Sequence, residues 1–366
     1  MSAAATQSGP AEQQGAHEDV WSERDTTPDA IDAALRRLLH ARHVANDRLA
    51  PARVLNLVVV VDRRWKGETT NRLERVGRYH ASRTVLCAVE EGRTTIDARA
   101  LLSYSEPPEG GLGLIRERVE LDVGPGHLSR LESIIDPVLV DELPTLLWSP
   151  HGHRQAVEAL LERTDVLLCD SDDDPDPARA LARAQELLQD AYVVDLAWLR
   201  TTPWRERLAA RFDPPARRAA LSRIRSVSVQ HRASSRASAL LLVGWLASRL
   251  DWRVAALGEH DGACAGACAG PGGEVEVELS PGELDVPGLA AVSVRTDGER
   301  PLALSLRRGR GGLHACERSD GSERRWQILG ASRGEGGILG EGVRQALLRD
   351  PTYGPALARA GELCPR

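Results

Sequence analysis

The chain has 366 residues, with 47 basic and 53 acidic side chains and a formal net charge of −6. This length predicts two domains, each large enough to bury a core without help from disulfides or metal ions. Nearly all the basic residues are arginines interspersed with acidic residues, and no basic stripe follows the chain, so nucleic-acid binding is not expected.

The first residues are polar, and we expect residues 1–29 to form a disordered tail. They show neither the basic start nor the apolar run of a signal peptide. The longest apolar helical segment, Ala239–Leu250, is far shorter than the about 20 residues needed to cross a bilayer. We therefore predict a cytoplasmic protein that has no membrane contact and keeps its six cysteines reduced.

Residues 30–195 alternate between helical and strand patterns. RVLNLVVVVD (Arg53–Asp62) is a β-branched run that is apolar on both faces, as in an inner strand covered on two sides. Further strands are predicted at Ser82–Glu90, within residues 94–105 and 115–123, at Pro144–Pro150 and at Asp165–Ser171, and helices at residues 30–48, 68–80, 126–140, 155–163 and 178–189. This alternation predicts a Rossmann-like layered α/β domain with a leading helix.

The rest of the chain follows a different pattern. We expect a helical segment between the domains at residues 196–221 and an α+β C-terminal domain at residues 222–366. Strands are predicted at residues 223–230 and in WRVAAL, EVEVEL, AAVSVRT and PLALSLRR, and helices at residues 234–250, 338–349 and 355–363. This order predicts a mainly antiparallel sheet backed by helices.

Catalytic signatures are mostly absent from the sequence. It has no Walker loop around Lys66, no GxGxxG after the first strand, no nucleophile elbow and no HExxH, so we predict neither an enzyme nor a bound cofactor or metal ion. His151 and His153 follow a strand, but no third ligand stands at a suitable spacing, and we interpret them as a turn. Cys264 and Cys268 lie in an Ala/Gly-rich stretch predicted to be a loop, with a redox role as the open alternative.

The stretch DLAWLRTTPWRERLAARFD (Asp195–Asp213) concentrates residues that are scarce elsewhere. It holds the only Phe, two of the eight Trp and four arginines. Asp195 is suited to cap a first helical turn, and the residue before Pro203 is pushed out of helical geometry, which predicts a break. A second helix then restarts with one buried stripe, formed by Trp204, Leu208 and Phe212.

Two arginines in this stretch are not explained by packing alone. Arg200 and Arg205 flank the predicted helix start, where free N–H groups and the helix dipole also favour an anion. Two interpretations stay open: a packing element between the domains, and a site for a ligand or a partner.

Four segments of the chain stand out together: DLAWLRTTPWRERL, HASRTVLCAV, PTLLWSP and LLVGWLASRL. With the early strand RVLNLVVVV they cover residues 50–255, and they resemble the glucose-6-phosphate dehydrogenase assembly protein family, OpcA. The first and the last of the four are long and specific. The family usually has His-Pro-Ser-Arg where this chain has HASR at residues 80–83, and a Trp pair where it has Trp148 followed by Ser149.

The resemblance implies a non-catalytic cytosolic partner of glucose-6-phosphate dehydrogenase that promotes its assembly or activity. It also implies two sets of partner- or anion-binding residues, the first being Asp195, Trp198, Arg200, Trp204 and Arg205 and the second His80, Ser82, Arg83 and Trp148. Core packing is the competing account for each Trp. The rival function is a sugar-phosphate-binding receptor or enzyme that uses arginines as a phosphate clamp.

Overall fold

The computed structural model describes residues 17–77, 81–105, 111–329 and 335–365. The chain divides into two compact units. The first comprises residues 1–67, 81–145 and 153–160, and the second residues 68–80, 146–152 and 161–366. The units interleave along the chain. The domain bounds expected from the sequence, residues 30–195 and 222–366, stay a prediction.

The first unit is built on a mixed sheet. Its elements are β1 (His17–Glu23), α1 (Pro28–Ala45), β2 (Leu49–Pro51), β3 (Leu55–Asp62), the start of α2 (Lys66–Gly77), β4 (Ser82–Val89), β5 (Asp97–Tyr104), β6 (Gly113–Val123), α3 (Leu131–Ile135) and α4 (Arg154–Leu160). The strand order is β1-β5-β6-β4-β3, with β2 beside β6. β4 pairs in parallel with both β3 and β6, while β5 is antiparallel to β1 and β6.

Local sequence explains most of these elements. Thr27 caps α1 by accepting a hydrogen bond from the N–H of Ala30, and the buried face of the helix carries Ile31 and Leu35. All the apolar residues of β3 are buried, as a β-branched run in an inner strand should be. Two predictions were wrong. Strand β1 lies within the expected tail, and residues 126–140 form 3₁₀ turns around the short α3 rather than one helix.

The second unit contains a parallel three-stranded element and a large sheet. Its elements are β7 (Thr145–Trp148), β8 (Val166–Cys169), α5 (Pro177–Leu187), β9 (Tyr192–Asp195), α6 (Leu196–Phe212), α7 (Pro215–Arg218), β10 (Ile224–His231), α8 (Arg236–Arg249), β11 (Gly258–His260), β12 (Ala263–Gly270), β13 (Gly273–Pro281), β14 (Leu289–Thr296), β15 (Leu302–Gly309), β16 (Gly312–Ser319), β17 (Ser322–Leu329), α9 (Glu335–Gln345) and α10 (Tyr353–Leu363). Strands β7, β8 and β9 are parallel neighbours in that order.

The large sheet has the order β11-β12-β13-β10-β14-β15-β16-β17. Among its pairings, β10 with β13 is parallel and the other six are antiparallel. Helix α8 packs against β10, α6 and α10. The α/β organisation of the N-terminal half and the mainly antiparallel sheet of the C-terminal half are thus confirmed.

No helix among the described residues has both the length and the apolar character that a membrane span requires.

Three predictions in this unit were wrong. α6 continues through Pro203 without the expected break. The Ala/Gly-rich stretch is strand β12, in which Cys264 and Cys268 are buried, unbridged thiols, rather than a loop. WRVAAL is not a strand, and contributes only a single bridge from Arg253 to Ala269.

Candidate functional site

The carboxyl ends of β7, β8 and β9 lie along one edge because the three strands are parallel neighbours. β8 ends at Cys169 and is followed by the acidic loop of residues 170–176, and β9 ends at Asp195. Edges of this kind are where ligands usually bind in parallel α/β sheets. We therefore take this edge, with the helices that leave it, as the candidate site.

Asp195 is the centre of a buried hydrogen-bond network. Its side chain caps α6 by accepting from the N–H of Ala197 at 2.9 Å, and it also accepts from the N–H and the hydroxyl of Ser171 at 3.0 and 2.6 Å. The hydroxyl of Tyr353, at the start of α10, donates to it at 3.0 Å. Burial, with Asp170 nearby, raises the pKa of Asp195, and the donated hydrogen bonds oppose that rise. One carboxylate therefore ties together the loop after β8, α6 and α10.

Arg200 lies inside the protein, with 5% of its side chain exposed. Its guanidinium donates to both carboxylate oxygens of Asp170 at 2.7 Å and lies 3.6 Å from the carboxylate of Asp172. Asp172 in turn accepts from the N–H and hydroxyl of Ser238, in the first turn of α8, at 3.0 and 2.6 Å. Burial, followed by repulsion from Asp170, raises the pKa of Asp172 to about 7.

Trp198 and Arg205 form a second internal contact set. The guanidinium of Arg205 stacks 3.4 Å from the centre of the Trp198 ring, and the indole N–H donates to Asp350 at 2.9 Å. Arg205 also lies 3.7 Å from Asp350 and donates to the hydroxyl of Thr201. Burial lowers the pKa of Arg205 to about 10, against the opposing effect of Asp350. These contacts fix the segment before α10 onto α6.

The predicted stripe of α6 is confirmed as core. Trp204, Leu208 and Phe212 are 0%, 2% and 5% exposed. Trp198 is also buried, at 2%. The two Trp residues of this stretch are therefore packed inside the second unit, and a partner cannot touch them in this conformation. A role of this first residue set in partner binding stays a prediction.

The described residues of the second predicted set are divided between the two units, and their common role stays a prediction. His80 lies outside the described residues, Ser82 and Arg83 belong to the first unit, and Trp148 belongs to the second. Arg83 is 7% exposed and is held by the carboxylate of Glu117, at 2.6 Å from its terminal nitrogen. Burial lowers the pKa of Arg83, and Glu117 opposes that effect. Arg83 is thus a buried partner of Glu117.

Sequence reasoning missed the hydrogen-bonding and ion-pair partners of this site. They are Asp170, Asp172, Asp350, Ser238 and Tyr353, which come from the loop after β8, from α8 and from the α10 region. Only the Asp-rich loop carried a signal, since it directly follows a buried strand. The contacts of Asp350 and Tyr353 span more than 150 residues, a separation that no local pattern encodes.

An open cleft of about 480 Å³ lies at the ends of β7 and β8. Its walls include Ser149 and His151 after β7, Cys169 at the end of β8, and Arg179 and Arg183 on α5. Arg179 donates to Asp174 at 2.8 Å, so the cleft presents guanidinium and carboxylate groups side by side. Such a lining suits a small polar molecule with hydroxyl and anionic groups.

Among the described residues, no three His, Cys, Asp or Glu side chains are grouped so as to hold a metal ion.

Two family models match the chain. The model of the glucose-6-phosphate dehydrogenase subunit N-terminal domain matches residues 73–186, and the model of the C-terminal domain matches residues 191–357. Together they extend over most of the chain, including every described residue of the Asp195 and Arg200 networks.

Three curated relatives carry the name "Putative OxPP cycle protein OpcA". The protein of Synechocystis sp. is 33% identical over 129 residues, which cover 34% of this chain and 27% of the relative. The protein of Synechococcus elongatus is 29% identical over 186 residues, covering 48% and 42%, and that of Nostoc punctiforme is 32% identical over 150 residues, covering 40% and 32%. The chain therefore spans less than half the length of these relatives.

Solved structures show only a distant likeness. KijD10, a 3-ketoreductase from Actinomadura kijaniata, superposes with a TM-score of 0.48 at 9% identity, covering 84% of this chain and 95% of its own. The aldose-aldose oxidoreductase from Caulobacter crescentus gives 0.45 at 12%, covering 84% and 94%. At TM-scores below 0.5, the activities of these enzymes do not carry over to this chain.

Proposed function

Because this chain belongs to the OpcA family of glucose-6-phosphate dehydrogenase assembly proteins, we propose that it is a non-catalytic assembly factor or allosteric activator of glucose-6-phosphate dehydrogenase. The proposal places it in the cytoplasm, in the oxidative pentose phosphate pathway. The observation that carries it is the pair of matches to both domain models of the dehydrogenase subunit. The names of the curated relatives, which refer to the same pathway, support it.

We assign the predicted residues of α6 an indirect part in this function. Asp195 and Arg200 are buried, the side chain of Arg205 is 11% exposed, and the three hold α6, α8 and the α10 region in one arrangement. A preformed surface binds a partner more tightly than a mobile one because less conformational freedom is lost on binding. In this proposal the network keeps the partner-binding surface preformed, and the dehydrogenase touches other residues.

Size-exclusion chromatography of this protein with purified glucose-6-phosphate dehydrogenase tests the proposal. We expect the two proteins to elute together, earlier than either alone, at micromolar concentrations. Separate elution at concentrations up to 100 μM would contradict it. Bovine serum albumin in place of the dehydrogenase is the control for non-specific association.

The cleft at β7 and β8 favours a second candidate, a regulatory receptor for a sugar phosphate. Arg183 and Arg179 line it, and arginine is the side chain best suited to bind phosphate through paired hydrogen bonds. In this case glucose 6-phosphate should raise the melting temperature of the isolated protein, and Arg183→Ala should abolish that rise. Arg359→Ala on α10, which removes an exposed arginine outside the cleft, is the matched control. An unchanged melting temperature with millimolar glucose 6-phosphate removes this candidate.

A further inference from the structure

An apolar cavity of about 230 Å³ lies between residues of α6 and α8 in the second unit. We name it the α6–α8 cavity. Leu208 and Phe212 of α6 and Leu246 of α8 are buried side chains that line it. Trp245 of α8 also lines it and is only half-buried, so part of this residue is accessible to solvent.

The mouth of this cavity carries more positive than negative charge. Two exposed arginines, Arg218 of α7 and Arg249 at the end of α8, line it together with one carboxylate, Asp213. Arg218 donates to the backbone carbonyl oxygen of Asp213 rather than to a carboxylate. Within the described part of the chain, neither arginine forms an ion pair. The mouth therefore presents two guanidinium groups without carboxylate partners.

Some other surface arginines of the same unit are ion-paired instead. Arg179 is paired with Asp174, Arg344 with Glu341 and Arg359 with Glu362. Two uncompensated guanidinium groups beside an apolar cavity complement an occupant that is both apolar and acidic. Trp and Arg are also the residue types that most often dominate binding energy at protein interfaces.

We propose that the α6–α8 cavity is the docking site for an acidic, apolar segment of the partner dehydrogenase. One bulky apolar side chain of that segment enters the cavity against Trp245, and carboxylates beside it pair with Arg218 and Arg249. A protein segment fits better than a free metabolite, because the cavity is smaller than the about 300–1,000 Å³ of typical small-molecule sites. This inference rests on the proposed function.

The test measures the affinity of the full chain for purified glucose-6-phosphate dehydrogenase by isothermal titration calorimetry. Arg249→Glu reverses one charge at the mouth, and Ala209→Trp, at an exposed cavity-lining position of α6, obstructs the entrance. Arg37→Glu on α1 is the matched control, since Arg37 is also an exposed helical arginine without an ion pair in the described residues. Circular dichroism and urea unfolding establish that each variant is folded.

We expect Arg249→Glu and Ala209→Trp each to weaken binding at least tenfold and Arg37→Glu to leave it within twofold. Rising salt should weaken wild-type binding more than that of Arg249→Glu. If the wild type and all the variants bind the dehydrogenase with equal affinity, the docking site is overturned and the proposed function stands. Absence of wild-type binding overturns both. If Arg249→Glu no longer self-associates but binds the dehydrogenase as the wild type does, the cavity is occupied by a second copy of this chain. That result also overturns the docking site.

Discussion

At the residue scale, the site is a set of buried charges that are almost fully hydrogen-bonded. A buried carboxylate is costly unless donors surround it, and Asp195 receives four hydrogen bonds. Asp170 and Asp172 share one guanidinium, that of Arg200, which leaves one excess negative charge when both acids are ionised. Burial is the main reason for the raised pKa of Asp172, and repulsion from this excess charge on Asp170 adds to it.

Arg200→Ala should destabilise the fold strongly. It leaves the carboxylates of Asp170 and Asp172 buried without a cation, and losing one partner of a buried pair costs about 3–5 kcal/mol. Urea unfolding measures the change. Arg179→Ala, which breaks a solvent-exposed pair with Asp174, should leave the midpoint nearly unchanged. Similar midpoints for the two variants would show that the Arg200 pair is not a buried anchor.

Asp172 should make stability depend on pH near neutrality. Its pKa of about 7 in the folded protein lies above the ordinary value of 3.8, so the folded state binds an extra proton between these values. Its contribution is fully present below the ordinary pKa and is lost as pH rises through 7. Asp172→Asn cannot ionise and keeps an oxygen that accepts from Ser238. The stability of the wild type relative to this variant should fall between pH 5 and 8, as urea unfolding at each pH would show; a constant difference contradicts the assignment.

Part of this residue-scale description could be predicted. The cap at Asp195 follows from its place before a helical pattern, and the stripe of Trp204, Leu208 and Phe212 follows from their spacing. The interpretation of Arg200 as an anion-binding residue holds in its chemistry, but the anion is the internal Asp170. Sequence cannot identify that pairing, because Arg and Asp are also common on surfaces and only the tertiary fold brings these two together.

At the element scale, α6 remains one helix although it contains a proline, because tertiary packing outweighs the local disruption. Pro203 lacks the N–H that would bond the carbonyl oxygen of Leu199, a defect that costs about 3 kcal/mol in a helix interior. Burial of large side chains such as Trp198 and Trp204 on the same helix contributes about 1.5–3 kcal/mol for each. The hydroxyl of Thr201 also donates to the carbonyl oxygen of Trp198 in the turn before the proline. One continuous helix is therefore the more stable arrangement.

The crossing of α8 and α10 depends on a glycine. A Cβ atom at Gly244 would overlap the carbonyl oxygen of Ala356 and lie 2.8 Å from the backbone nitrogen of Ala360. Gly244→Ala should therefore force the helices apart and lower the free energy of unfolding by about 1–3 kcal/mol. Gly354→Ala on α10, where a Cβ meets no atom within 4 Å, should be neutral or stabilising. Urea unfolding of both variants checks this, and equal stability would refute the close crossing.

Strand β12, which the sequence did not predict, shows the limit of predicting strands from residue types. Its sequence, ACAGACAG, has few of the β-branched and aromatic residues that signal a strand. It forms because β13 supplies a complementary edge, with Cys264 opposite Leu279 and Cys268 opposite Val275. Both cysteines face the interior, and burial raises the pKa of each thiol. A redox role therefore has no support from their surroundings.

At the scale of the whole molecule, family membership and internal architecture lead to the same proposal. The residues by which the family is identified are largely internal: Asp195, Trp198, Arg200 and Trp204 are all buried. In our account they shape the second unit, and the partner binds to exposed groups such as those at the mouth of the α6–α8 cavity. Sequence resemblance could identify the family, but it could not separate residues that build the scaffold from residues that touch a partner, because both kinds appear in the same motif.

The most direct test of this account measures the rate of purified glucose-6-phosphate dehydrogenase against glucose 6-phosphate concentration, with and without an excess of this protein. We expect the protein to raise the maximal rate or to lower the half-saturating concentration at least twofold, with saturation at a defined stoichiometry. Coinciding rate curves at every ratio of the two proteins would contradict the central claim.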